Sequence, residues 1–196
     1  MKHAVTRMVP ERNPAIVALS RQTIVDALQG VSDRLGGRGV DAEICLFGCA
    51  VMVLAFSARS STRDVDAIFQ PAQLVRDIAE EIARAQGIPS GWLNDGVKGF
   101  VSTSLVVTQG NLPQFPHLRL TMPVPEYLLA MKCMAARIGV TSADRSDVSD
   151  IVFLLKHLGI ESASDALDVV AKYYPAERIS IKTQFLLEGL FEEGAL

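Results

Sequence analysis

Two hydrophobic rhythms alternate along the first part of the chain. Ile16, Val17, Ile24, Val25, Leu28, Val31 and Leu35 recur at an approximate helical period, with Asn13 and Pro14 ahead of them and Gly36 and Gly37 behind. An Asn side chain can accept from an orphan amide of a first turn, and proline is pre-set for the first helical position, so the pattern predicts a helix over residues 14–35. Residues 44–47 form a short apolar run of strand type, Gly48 a turn, and residues 50–56 a helix-compatible run. After the polar segment ARSSTR, residues 64–69 read as a second strand. Pro71 then opens an amphipathic helix that carries Leu74, Val75, Ile78, Ile82 and Ala83 on one face and ends at Gly87.

Beyond an irregular stretch with Trp92, Asn94 and Gly96, two β-rich runs, 100–107 and 118–121, flank QGNLPQFP, a connector suited to a hairpin or a wide loop. Four helices are predicted after that, from Pro125 to about residue 138, over 143–158, near 162–173 and near 178–192, with Gly159 and Pro175 as punctuation. The predicted class is α+β: a small mixed sheet flanked by helices over residues 1–122, then a helical C-terminal lobe over 123–196.

Composition narrows the possible functions. At 196 residues and 49% hydrophobic, the chain can build a sizeable core. A net charge of −3 supplies no sequence-wide basic field, so any nucleic acid must be gripped locally. Cys45, Cys49 and Cys133 have neither disulfide-type nor zinc-type spacing, and His3, His117 and His157 are scattered, which points to reduced thiols and no zinc site. The N-terminal MKHAVTRMVPERNP lacks the apolar stretch of a secretory signal, and the apolar run 44–56 is too short for a bilayer. The expectation is a cytoplasmic protein with no membrane partner.

The chemistry concentrates in a few positions. Asp64 and Asp66 are two apart on a predicted strand, so both leave the same face. Carboxylates that close repel unless a hard cation lies between them, and Mg²⁺ held by one or two carboxylates plus phosphate oxygens is a common solution; two solvated aspartates at a strand end is the plainer alternative. Gly48 and Cys49 would put bare amides beside the first strand, fit for phosphate or simply for an ordinary turn. Lys132 stands among Leu128, Leu129, Met131, Cys133 and Met134, placed either to meet a triphosphate or to snorkel to the surface. Asp147 and Asp150, three apart on a helix, could hold Arg145, Lys132 or a metal, or make an interhelical salt bridge. Arg59 and Arg63 flank the region, as phosphate-steering or as solvated charges.

In this order, FGCAVMVLAFSARSSTRDVDAIF resembles the nucleotidyltransferase superfamily that includes DNA polymerase beta, in which a strand, a small-residue turn, a helix and an Asp-x-Asp strand build the metal and triphosphate site. PEYLLAMK and RSDVSD follow in the order seen in the branch of AbiEii-type abortive-infection toxins, so the resemblance spans about residues 44–158. It implies a nucleotidyltransferase-like fold that moves a nucleotide from a nucleoside triphosphate to a hydroxyl of a tRNA, a protein or a small molecule. It also implies a possible toxin role with a cognate antitoxin. Asp64 and Asp66 would then hold Mg²⁺ or Mn²⁺ and act with Lys132 in catalysis, while Gly48, Cys49, Arg63, Asp147 and Asp150 would bind the nucleotide. Two positions depart from the pattern. Residue 49 is Cys where relatives have Gly or Ser, and the later runs FVSTSLVVT and HLRLTM hold no acid to serve as a third carboxylate, a role open to Asp147 or Asp150. A catalytically inactive binding or regulatory module of the same fold is the alternative these departures suggest.

Overall fold

The structure, a computed structural model, describes residues 18–136, 142–192 and 194, with the side chains of residues 142–145 outside that description. Its first helix, α1 (Arg21–Gly37), begins later than the predicted 14–35. The side-chain oxygen of Ser20 accepts from the Thr23 amide at 3.1 Å and caps the helix, while Leu19–Ser20 forms a short strand β1. Residues 14–17 of the predicted helix lie outside the described residues. β2 (Ala42–Leu46), α2 (Gly48–Leu54), β3 (Ser61–Thr62), β4 (Val65–Gln70) and α3 (Ala72–Gln86) follow. α3 starts behind Pro71 and ends where Gly87 turns left-handed, as its punctuation predicts.

The run 100–107, expected as a strand, is not one. A single 3₁₀ segment, Gly96–Phe100, occupies its start, and only Val107–Thr108 pairs, as β6. Ser102 ties the run down otherwise: its hydroxyl accepts from the Ser104 amide at 3.1 Å and donates to the carbonyl of the distant Tyr173 at 3.0 Å. Side chains that satisfy the backbone in this way compete with a ladder. Leu93–Asn94 forms β5, and Leu118–Pro123 forms β7.

β5, β4, β2, β7 and β6 make a five-stranded mixed sheet in that order, and β1 pairs with β3 apart from it. β2 runs antiparallel to β4 and parallel to β7, with Leu46 opposite Ala67 and Cys45 opposite Thr121. β5 lies parallel to β4, with Asn94 opposite Asp66. The alternation of burial defines two faces. Ala42, Ile44, Leu46, Val65, Ala67, Phe69, Leu118 and Leu120 are buried, whereas Glu43, Cys45, Asp66, Ile68, Arg119 and Thr121 are partly or fully exposed. α1 and α3 pack on each other and on β7, β4 and β5.

The last third is helical: α4 (Pro125–Ala135), α5 (Ser142–Leu158), α6 (Ala163–Tyr173) and α7 (Ile181–Glu192). α4 ends at Ala135, short of the expected 138, and residues 137–141 lie outside the described ones. α4 packs on α5 and α6, and α6 on α7, with the buried Tyr127 ring against Tyr173 at 5.0 Å between centroids. The fold is therefore mixed α+β, with a small mixed sheet and seven α-helices among the described residues. β7 ends at Pro123 and α4 starts at Pro125, where sheet gives way to helices. No helix among the described residues is long and apolar enough to cross a membrane.

Candidate functional site

β2 and β4 meet at their ends through the Phe47 amide, which donates to the Asp66 carbonyl at 2.8 Å. That bond sets the turn after β2 directly against Asp66. Gly48 has φ +58, and a Cβ added there would lie 3.4 Å from Asp66 Oδ2, so glycine serves both the left-handed turn and the close approach. α2 starts here with no side-chain cap; seven residues sum only a small dipole, and what the turn offers an anion is the individual amides.

A cavity of about 340 Å³ opens at this point, lined among others by Gly48, Cys49, Asp66, Val97, Phe100, Leu128, Met131, Lys132 and Asp147. Four candidate segments far apart in sequence thus reach one space: the Gly48–Cys49 turn, β4, α4 and α5. Asp64 precedes β4, is exposed and lies outside this lining, yet its charge reaches Asp66. The Asp66 carboxyl is held above its ordinary range, chiefly by burial and then by the Asp64 charge, against an Asn94 hydrogen bond and the positive charge of Lys132. Asn94, the cross-strand neighbour of Asp66 on β5, accepts from the Gly96 amide through Oδ1 at 3.0 Å.

Lys132 is 8% exposed. Its ammonium lies 2.5 Å from Asp150 Oδ2 and donates to Cys49 Sγ at 3.6 Å. Asp150, 2% exposed, also takes a two-pronged contact from Arg59, Nε to Oδ1 at 2.6 Å and Nη2 to Oδ2 at 2.8 Å. Arg59 Nη2 additionally donates to the Ser146 carbonyl at 2.7 Å. Asp150 therefore faces two cations from inside the protein, as the interhelical salt bridge that its spacing left open. Asp147 lines the cavity, and Arg63 is exposed outside it. The side chain of Arg145 lies outside the described residues.

Asn94 and Phe100 are site residues that the sequence reading passed over. An Asn-Asp-Gly turn at residues 94–96 was the available signal for the first; the apolar run around Phe100 read as sheet.

Among the described residues no group of three or more His, Cys, Asp or Glu side chains gathers as a ready ion cage. Asp66 on β4 and Asp64 just ahead of that strand present hard carboxylate oxygens, donors that suit an ion of the Mg²⁺ type completed by water and phosphate oxygens, although Asp64 lies outside the strand on which its spacing predicts it. A larger cavity of about 720 Å³, lined in part by Asp41, Gln70, Phe115, His117 and Arg119, contains none of these groups. Comparison with protein-family models, with curated proteins and with solved structures returns no match to this chain.

Proposed function

We propose that this chain is a divalent-cation-dependent nucleotidyltransferase of the DNA polymerase beta-like kind, transferring a nucleotide from a nucleoside triphosphate to a hydroxyl acceptor. One observation carries the reading: Gly48, Asp66 and Lys132, from three distant segments of the resemblance, line a single cavity. In the reaction an acceptor oxygen bonds to the alpha phosphorus, the bond from that phosphorus to the bridging oxygen of the beta phosphate breaks, and pyrophosphate leaves. The acceptor proton passes to solvent or to a carboxylate oxygen of the pair. Asp64 and Asp66 would hold Mg²⁺ or Mn²⁺, whose chemistry is to neutralise charge on the phosphate oxygens. Lys132 adds positive charge at the same wall, and the Gly48 and Cys49 amides orient the outer phosphates. Asn94 stands next to Asp66 across the β4–β5 pair. Asp150 holds the Lys132 ammonium from behind, and Arg59 in turn fixes the Asp150 carboxylate.

The acceptor is a tRNA, a protein or a small molecule by analogy alone, and a toxin restrained by an antitoxin over the cavity extends the same analogy. A second reading, a catalytically inactive module that binds nucleotide, draws on the missing third acid: the cross-strand neighbour of Asp66 is the amide Asn94, and no third acid joins the pair among the described residues. Incubation with labelled triphosphates, Mg²⁺ and either total RNA or lysate protein separates the two. Wild type should label an acceptor and Asp64→Ala should not. Equal labelling by both removes Asp64 from the reaction, and calorimetric binding of nucleotide without any labelling favours the inactive module.

A further inference from the structure

The cavity is chemically lopsided. One end carries Asp66, Lys132 and the Gly48 turn; the rest is walled by Val97, Phe100, Leu128 and Met131. Phe100 is 74% exposed although it lines this space, so its ring is spread at the mouth and not sunk in the core. An exposed phenylalanine alone is unremarkable. This one sits on a segment fixed at both ends. On one side Asn94 accepts from the Gly96 amide, and Asp95 binds Arg76 at 2.7 Å and Lys98 at 2.6 Å. On the other, the Ser102 amide donates to the Tyr127 hydroxyl at 2.6 Å and Ser102 Oγ donates to the Tyr173 carbonyl at 3.0 Å. Asn94 is also the cross-strand neighbour of Asp66, so the pairing of β5 with β4 registers the segment that carries Phe100 against the charged end.

A ligand that matches this layout has a polyanion at one end and a flat apolar face at the other. Resting on the nucleotide reading above, we infer that Phe100 is the platform on which the base of the triphosphate stacks, with Val97, Leu128 and Met131 as the apolar wall around it. Stacking asks only for a π-face, which every base has, so this wall tolerates all four bases and favours purines for their larger face. Recognition of the phosphates, by contrast, does not involve Phe100.

Calorimetric titration of the full chain with Mg²⁺ and, separately, ATP, CTP and inorganic tripolyphosphate tests this. Wild type should bind ATP roughly tenfold or more tightly than tripolyphosphate, and ATP more tightly than CTP. Phe100→Ala should lose roughly tenfold or more for ATP while keeping its affinity for tripolyphosphate, and Phe100→Tyr should bind ATP like wild type. Equal binding of ATP and tripolyphosphate by wild type, an unchanged ATP affinity in Phe100→Ala, or equal weakening of both ligands would overturn the platform and leave the triphosphate site standing. If wild type binds none of the three, the nucleotide reading falls with it.

Discussion

Cys49 is the thiol that can report on the cavity. It is half-buried in the lining beside Lys132, whereas Cys133 is 2% exposed on α4 and burial pushes its thiol up to about 12. Cys45 is also raised by burial, partly offset by a hydrogen bond with Thr121. Since the thiolate is the reacting form, brief iodoacetamide treatment at neutral pH should alkylate Cys49 at least about tenfold faster than Cys133. Magnesium and ATP should slow the reaction at Cys49 alone, read by peptide mass mapping. Labelling that nucleotide does not slow would place the ligand elsewhere. Much of the site is visible at this scale because its chemistry is written in residue type and spacing: two acids two apart at the start of a strand, a glycine after the preceding strand, a lysine in an apolar helix. Asn94 and Phe100 escape for physical reasons. A two-residue strand has no period to detect, and an apolar residue in a β-rich run reads as core, the opposite of its exposed place at the cavity mouth.

Elements with several turns or alternations were legible, and those with two residues were not. The long amphipathic α3 follows its pattern from Pro71 to Gly87, while β1, β3 and β5 are set by pairing partners distant in sequence. Glycine punctuation shows the same contrast between local and tertiary causes. Gly87 at φ +66 closes α3 with nothing within 4 Å of an added Cβ; Gly48 at φ +58 ends the β2 turn with Asp66 Oδ2 at 3.4 Å. An L-residue in the left-handed region costs about 1–2 kcal/mol, so Gly87→Ala and Gly48→Ala should each lower unfolding free energy by roughly that amount in urea titrations. Only Gly48→Ala should also weaken magnesium–nucleotide binding, because its methyl group would lie against the Asp66 carboxylate, in the space a ligand of that carboxylate needs. Matching binding losses in the two variants would show that the turn and the carboxylate do not share a ligand.

At the scale of the whole molecule, the order of strands was the least legible feature: nothing in the run 118–121 says that it pairs parallel to β2 across more than seventy intervening residues. The same long-range logic joins the sheet to the helical lobe. Asp150 on α5 binds Arg59, which lies between α2 and β3, and Lys132 on α4; Asp150 and Lys132 are buried and Arg59 is partly buried. A buried ionic cluster adds little net stability, but removing one member strands the others, here two cations facing each other without their anion. Asp150→Ala should therefore cost about 3–5 kcal/mol. With a urea slope of about 2 kcal/mol per molar, the midpoint should fall by roughly 1.5–2.5 M. Two probes show whether the halves respond together. The single tryptophan, Trp92, is buried in the sheet half with its indole N–H donating to the Ala79 carbonyl at 3.0 Å, and far-ultraviolet circular dichroism is weighted toward the helices. Because apolar burial is continuous from α1 through β7 into α4 and α6, both signals should trace one transition in wild type and move together in Asp150→Ala. A dichroism loss that precedes the tryptophan signal in the variant would mean that the cluster is the principal tie between the two halves, and a midpoint shift below about 0.5 M would mean that water reaches Arg59 and Lys132 once the carboxylate is gone.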